Sequence, residues 1–213
     1  LQDNFFSAVL VAQDVVPKFK EHFPNEFGFI EDIRVNYLEV EDAMRLIDEP
    51  IRIERQQGPQ SRYREKAKET ILELTAGSPY YIQIICNQLV NYMNNQHAEL
   101  VTEADVAHVK QMLIEGSNSL EWPDFDNLVN SGDNSPGAIK DPDVKKVLIA
   151  IAKNSRNNGR CSLSNVLSSA EKTTVPVETI LADLVARKVV DRKEEQYYSI
   201  RVGLFREWLN ARQ

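Results

Sequence analysis

Apolar residues fall along this chain in two rhythms. Near the N-terminus they run almost without a break: FFSAVLVAQ, Phe5 to Gln13, reads as a buried strand. IRVNYL, Ile33 to Leu38, alternates apolar and polar positions and predicts a second strand. Between them Asp14 to Phe23 is expected to form a short helix, with Asp14 as cap and Pro17 tolerated in its first turn. Two strands this close, one of them fully apolar, predict the edge of a parallel α/β sheet over residues 1–38.

From Val40 the rhythm becomes helical. EVEDAMRLIDEPI opens with acids, places Ala43, Leu46 and Ile47 on one face and stops at Pro50. A second helix is predicted over Arg62 to Leu74, with Tyr63, Ala67, Ile71 and Leu74 in register and Gly77 as C-cap. Ser78 then caps a third, whose first residue is Pro79 and whose buried face carries Ile82, Ile85, Cys86, Leu89, Val90 and Met93 to about Asn94. Thr102 and Asp105 form a capping-box pattern for a fourth, reaching about Ile114. Four helices on short loops over 39–115 predict a small bundle.

Residues 116–140 are rich in Gly, Ser, Asn, Asp and Pro and read as a linker, docked in its middle around Trp122, Phe125 and Leu128. A second unit over 141–213 follows. Helices are expected over Asp143–Asn154, Ser162–Ala170 and Val177–Lys188. Strands over Val189–Arg192 and Gln196–Ile200 flank a turn at Lys193–Glu195, and a last helix covers Leu204–Ala211. Three helices and a β-hairpin are the winged-helix order. The predicted fold class is mainly α: an α/β remnant, a four-helix bundle and a winged helix.

The net charge of −7 is divided unevenly. Residues 141–213 carry 13 Lys or Arg against 9 Asp or Glu, a net of +4, and residues 1–140 carry 12 against 23, a net of −11. Such a split predicts two units with different electrostatic tasks, or two that attract each other. No apolar run approaches the roughly 18 to 20 residues that span a bilayer, and no basic segment leads into an apolar one at the N-terminus. Cys86 and Cys161 lie far apart with no ligand spacing. A cytoplasmic protein with reduced thiols is the expectation. A chain that starts at Leu1 inside a strand pattern is expected to be a fragment.

LTAGSPYYIQIICNQLVNYMNNQ, Leu74 to Gln96, and VTEADV after it resemble the helical lid of STAND-type ATPases, relatives of the AAA+ proteins. In that family a Gly-x-Pro turn opens a lid helix against the nucleotide, and here Gly77, Ser78 and Pro79 match it. Tyr37 to Ile51 resembles the segment leading into the lid, and Ala8 to Asp14 the last core strand, with Gln13 at the sensor-1 position. A winged helix after the lid is again the family's order, shared by archaeal origin-recognition ATPases. The resemblance implies ATP or ADP as cofactor of a full-length parent, bound against Gly77, Ser78, Pro79 and Tyr80. It also implies an upstream NTPase core, further domains and oligomeric neighbours as partners. No GxxxxGK[ST] occurs, and no apolar strand ends in paired acids. Phosphoryl transfer needs both, so this chain alone is expected neither to catalyse nor to hold nucleotide tightly.

Each candidate also has a plain structural role. Gly77, Ser78 and Pro79 join two helices as caps in any bundle. Gln13 and Arg34 suit strand ends, and Tyr80 and Tyr81 suit packing from core to surface. His22, His97 and His108 do not converge, and nothing forms a nucleophile or metal constellation. For DNA, the candidate reading helix exposes Glu178, Thr179, Asp183 and Arg187, an acidic face for a polyanion. Basic residues collect instead at its end and wing, at Arg187, Lys188, Arg192, Lys193 and Arg201, with Arg156 and Arg160 nearby. They suit phosphate or partner contact. The favoured expectation is a regulatory lid and winged helix; DNA binding and protein docking are the alternatives.

Overall fold

The computed structural model describes residues 23–27, 37–56, 58–117, 119–133, 135, 137–155 and 159–212. The expected strand over Phe5–Gln13, nearly all of the helix over Asp14–Phe23 and most of the strand over Ile33–Leu38 lie outside these residues. So do Gln13, His22, Arg34 and Arg156. What is described is mainly helical, with two small sheets.

The first unit holds α1 (Val40–Asp48), α2 (Ala67–Thr75), α3 (Pro79–Gln96) and α4 (Glu103–Glu115). Glu41 and Asp42 sit in the first turn of α1, where carboxylates meet the positive end of the helix dipole. Pro50 turns the chain out through a 3-10 turn at Glu49–Ile51. Helix α2 starts at Ala67, five residues later than the apolar spacing predicts. Its would-be first turn is taken by Val101: the Arg64 amide donates to the Val101 carbonyl at 2.8 Å and the Val101 amide to the Arg62 carbonyl at 3.0 Å. Helix α4 opens on the expected capping box, in which the Thr102 hydroxyl and the Asp105 side chain each accept from the other's backbone amide.

The sequence pattern did not predict the hairpin of β1 (Ile53–Arg55) and β2 (Gly58–Gln60). It is fastened to the bundle by buried Asp48, which accepts from Arg52 Nε at 2.9 Å and from the Ser61 hydroxyl, with Lys68 Nζ at 3.8 Å.

The second unit runs α5 (Asp141–Asn154), β3 (Cys161–Ser162), α6 (Leu163–Ser169), α7 (Val177–Ala186), β4 (Val190–Lys193), β5 (Tyr197–Ile200) and α8 (Gly203–Ala211). Its antiparallel sheet has the order β3-β5-β4, with Cys161 opposite Tyr198 and Val190 opposite Ile200. Strand β3, two residues long, is an addition to the predicted order. Buried Asp143 ties the loop before α7 to α5 by accepting from the Thr174 amide at 2.9 Å and from its hydroxyl.

One apolar core runs through both units. Helix α8 packs on α2 and α4 as well as on α5, and Lys110 of α4 pairs with Glu207 of α8 at 2.7 Å. The expected docking of the connecting segment is deep. Trp122–Phe125 forms a 3-10 turn and Asp126–Val129 a single helical turn. Phe125 is fully buried, a burial of the kind that contributes about 2 to 3 kcal/mol.

Candidate functional site

The turn from α2 into α3 is built by backbone geometry. Ala76 and Gly77 both take left-handed conformations, at φ 53° and 80°, so the helix ends with Ala76 as cap and Gly77 just beyond it. The Leu38 amide donates to the Gly77 carbonyl at 2.9 Å. A Cβ on Gly77 would stand 2.7 Å from the Leu38 carbonyl oxygen, so only glycine allows this approach as well as this φ. The chain arriving at Leu38 is thereby held against the start of α3, and the N-termini of α1 and α3 lie side by side.

Ser78 occupies the N-cap position of α3 in extended conformation, but its side chain makes no capping bond, unlike the cap the sequence suggests. Pro79 is the first helical residue and is half-buried. The first turn of α3 carries no acidic residue, whereas α1 carries Glu41 and Asp42 and α4 carries Glu103 and Asp105. Tyr80 is 46% exposed and meets the Tyr81 ring edge-on at 5.0 Å. Tyr81 is buried, and its hydroxyl donates to Asn127 Oδ1 at 2.8 Å. Burial pushes the Tyr81 phenol well above its ordinary value. Gly77, Ser78, Pro79 and Tyr80 thus form a contiguous turn with one exposed aromatic ring, while Tyr81 belongs to the core.

Tyr37, just before the turn's partner Leu38, lies under the Arg201 guanidinium at 5.0 Å. Burial, only partly opposed by that cation, pushes its phenol up to about 12. Arg201 also donates from Nε to Asp191 at 3.1 Å. The segment leading into the first unit therefore touches the base of the β4–β5 hairpin.

The basic residues divide into two groups. The Arg187 side chain is 6% exposed. Its guanidinium donates to Asp183 at 2.9 Å and to the carbonyls of Leu128 and Val129 at 3.4 and 3.2 Å. It is committed inside the chain and does not join an outward patch. Lys188, Arg192 and Lys193 are exposed, although Arg192 Nε donates to the Glu195 carbonyl at 2.9 Å. The hairpin tip adds Glu194 and Glu195, and Glu194 pairs with Arg160 at 3.2 Å. On α7, Glu178 and Thr179 face solvent. Asp183 instead borders a polar cavity of about 280 Å³ with Ser131, Asp133, Ser135 and Ile139 of the connecting segment.

The remaining candidates stay apart. His97 caps the end of α3 and His108 rests against Tyr92 at 4.8 Å, both exposed. Cys86 and Cys161 are free thiols, and burial pushes Cys161 up to about 11. Among the described residues no group of His, Cys, Asp and Glu could hold a metal ion, and no helix is long and apolar enough to cross a membrane. No family model matches the chain, and no significant match was found to a curated protein or a solved structure.

Proposed function

We propose that this chain supplies the lid and winged-helix portion of a STAND or AAA+-type nucleotide switch. The P-loop core holds ADP or ATP, the start of α3 closes on it, and the second unit passes the nucleotide state to other domains or subunits. One observation carries the reading: Leu38 and Gly77 are in backbone contact. The segment expected to come from the core is thus fastened to the Gly77–Pro79 turn that the family turns toward nucleotide. Two features support it. The first turn of α3 offers amides without carboxylates of its own, which suits an external anion. Tyr80 and Pro79 present apolar surface beside those amides, suited to a base. The order of α5, β3, α6, α7, β4, β5 and α8 agrees with a winged helix.

The chain carries no phosphate loop and no paired magnesium acids, so the chemistry belongs to the core, and the role here is to bias a two-state closure. Docking to another protein through exposed Lys188, Arg192 and Lys193 is compatible with this role. Specific DNA reading by α7 is not favoured. Glu178 is exposed there, and Arg187 is used internally.

The coding sequence upstream of Leu1, together with calorimetric titration of ADP and ATP into this chain, tests the reading. A GxxxxGK[ST] upstream and no micromolar binding by the isolated chain are expected. A missing phosphate loop, or a micromolar dissociation constant for the isolated chain, overturns it.

A further inference from the structure

The segment joining the two helical units is polar in composition, and a polar tether would leave them free to move and unfold separately. Its packing points the other way. Phe125 lies with its ring centroid 5.7 Å from Tyr81 of α3, and 4.5 and 4.9 Å from Phe205 and Trp208 of α8. Trp122 meets Trp208 edge-on at 5.0 Å. The Leu120 amide donates to the Leu113 carbonyl of α4 at 2.8 Å, while the Leu120 carbonyl accepts from Trp208 Nε1 at 2.7 Å. Asn127 accepts from Tyr81, and the carbonyls of Leu128 and Val129 accept from Arg187 at the end of α7. Leu120 and Phe125 therefore each reach both units, while Asn127 holds the first and Trp122, Leu128 and Val129 hold the second.

We propose that residues 120–129 are a coupling wedge that makes the two helical units one cooperative body, with Phe125 at its centre. A displacement at the start of α3 is then carried through Tyr81 and Phe125 to α8, and through Asn127 to Val129 and Arg187 to α7 and the β4–β5 hairpin. Interiors this closely packed transmit displacement rather than absorb it. Both routes run through packing and hydrogen bonds within the chain, whatever ligand meets the Gly77–Pro79 turn, so the coupling goes beyond the nucleotide reading and stands or fails separately from it.

Native-state hydrogen exchange on the whole chain, followed by mass spectrometry across a denaturant series, tests it. In the unmodified protein the slowest amides of α3 and α4 and those of α5 and α8 should open together, at the same denaturant concentration. Tyr81→Phe removes only the hydroxyl that bonds Asn127. It should lower protection in both units by the same factor, roughly fivefold for one hydrogen bond. Phe125→Leu should separate the units, leaving their protection at least about tenfold apart. Separate opening in the unmodified protein overturns the proposal. So does a loss confined to the first unit in Tyr81→Phe, or continued joint opening in Phe125→Leu. If Phe125→Leu does not fold, Tyr81→Phe decides.

Discussion

Arg187 Nη2 donates to the carbonyl of Val129 at 3.2 Å, across 58 residues of sequence. With the bonds to Leu128 and Asp183, it turns an arginine on a basic, exposed-looking stretch into an internal strut. Arg187→Met keeps most of the bulk but strands these acceptors. It is expected to cost about 1 to 3 kcal/mol in urea denaturation. Lys193→Ala, on the exposed hairpin, should stay within about 0.5 kcal/mol. Equal effects would show that Arg187 is not internal.

Gly77 and Gly58 separate strain from crowding. Both have positive φ, but a Cβ at Gly77 meets the Leu38 carbonyl oxygen, while one at Gly58 meets nothing within 4 Å. Gly58→Ala should show only the conformational cost, on the order of 1 kcal/mol. Gly77→Ala should lose at least ~1 kcal/mol more, because the Leu38 backbone has to move away. Matching unfolding midpoints for the two variants would mean that the Leu38 contact is loose.

Two buried carboxylates give the chain a pH signature. Burial opposes the charge on Asp48, but the hydrogen bonds from Ser61 and Arg52 and the nearby Lys68 outweigh it and hold its pKa below the ordinary value. Asp143 is held low chiefly by the Thr174 hydroxyl, against burial. A folded-state pKa below the unfolded one stabilises the fold above the unfolded value, about 3.9. That stability is lost as pH falls through the folded value. The double variant Asp48→Asn, Asp143→Asn should therefore be less stable near pH 7 and show a flatter decline below about pH 4. Urea midpoints across that range check both, and an unchanged acid slope would contradict them.

Exposed Lys188, Arg192 and Lys193 should give duplex DNA only weak, salt-sensitive contact. Glu194 and Glu195 share the hairpin tip, Glu178 is exposed at the start of α7, and Arg187 is turned inward. Dissociation constants no tighter than roughly 10⁻⁴ to 10⁻⁶ M at physiological salt are expected, the range of non-specific binding. Fluorescence anisotropy over random and selected duplexes measures this. Nanomolar affinity for one sequence would promote the DNA-binding alternative.

Much of the helical pattern was legible because its punctuation is local. Thr102 with Asp105, Pro79 at the start of α3 and Pro50 after α1 each mark an end by chemistry within one turn. What escaped depends on distant partners. The false first turn of α2 has helical spacing, but Val101, nearly forty residues away in sequence, takes its backbone groups. The β1–β2 hairpin has Pro59 in a strand and owes its place to Asp48. Composition marks 116–140 as a linker, and only the packing of Phe125 reveals how much of the core it supplies. At the candidate site, Gly77 was legible as a turn glycine, but its contact with Leu38 was not, and charge alone could not tell inward Arg187 from outward Lys188.

In the proposed switch the Gly77–Pro79 turn faces bound nucleotide. Calorimetric titration of ADP into the full-length protein, with and without Pro79→Ala, decides it. Proline at a first helical position lacks only an N–H that has no partner within the helix, so the substitution should cost under about 1 kcal/mol of stability. The variant should bind ADP at least about tenfold more weakly, with the unfolding midpoint almost unmoved. An unchanged affinity would leave Gly77, Ser78 and Pro79 as a helix junction and nothing more.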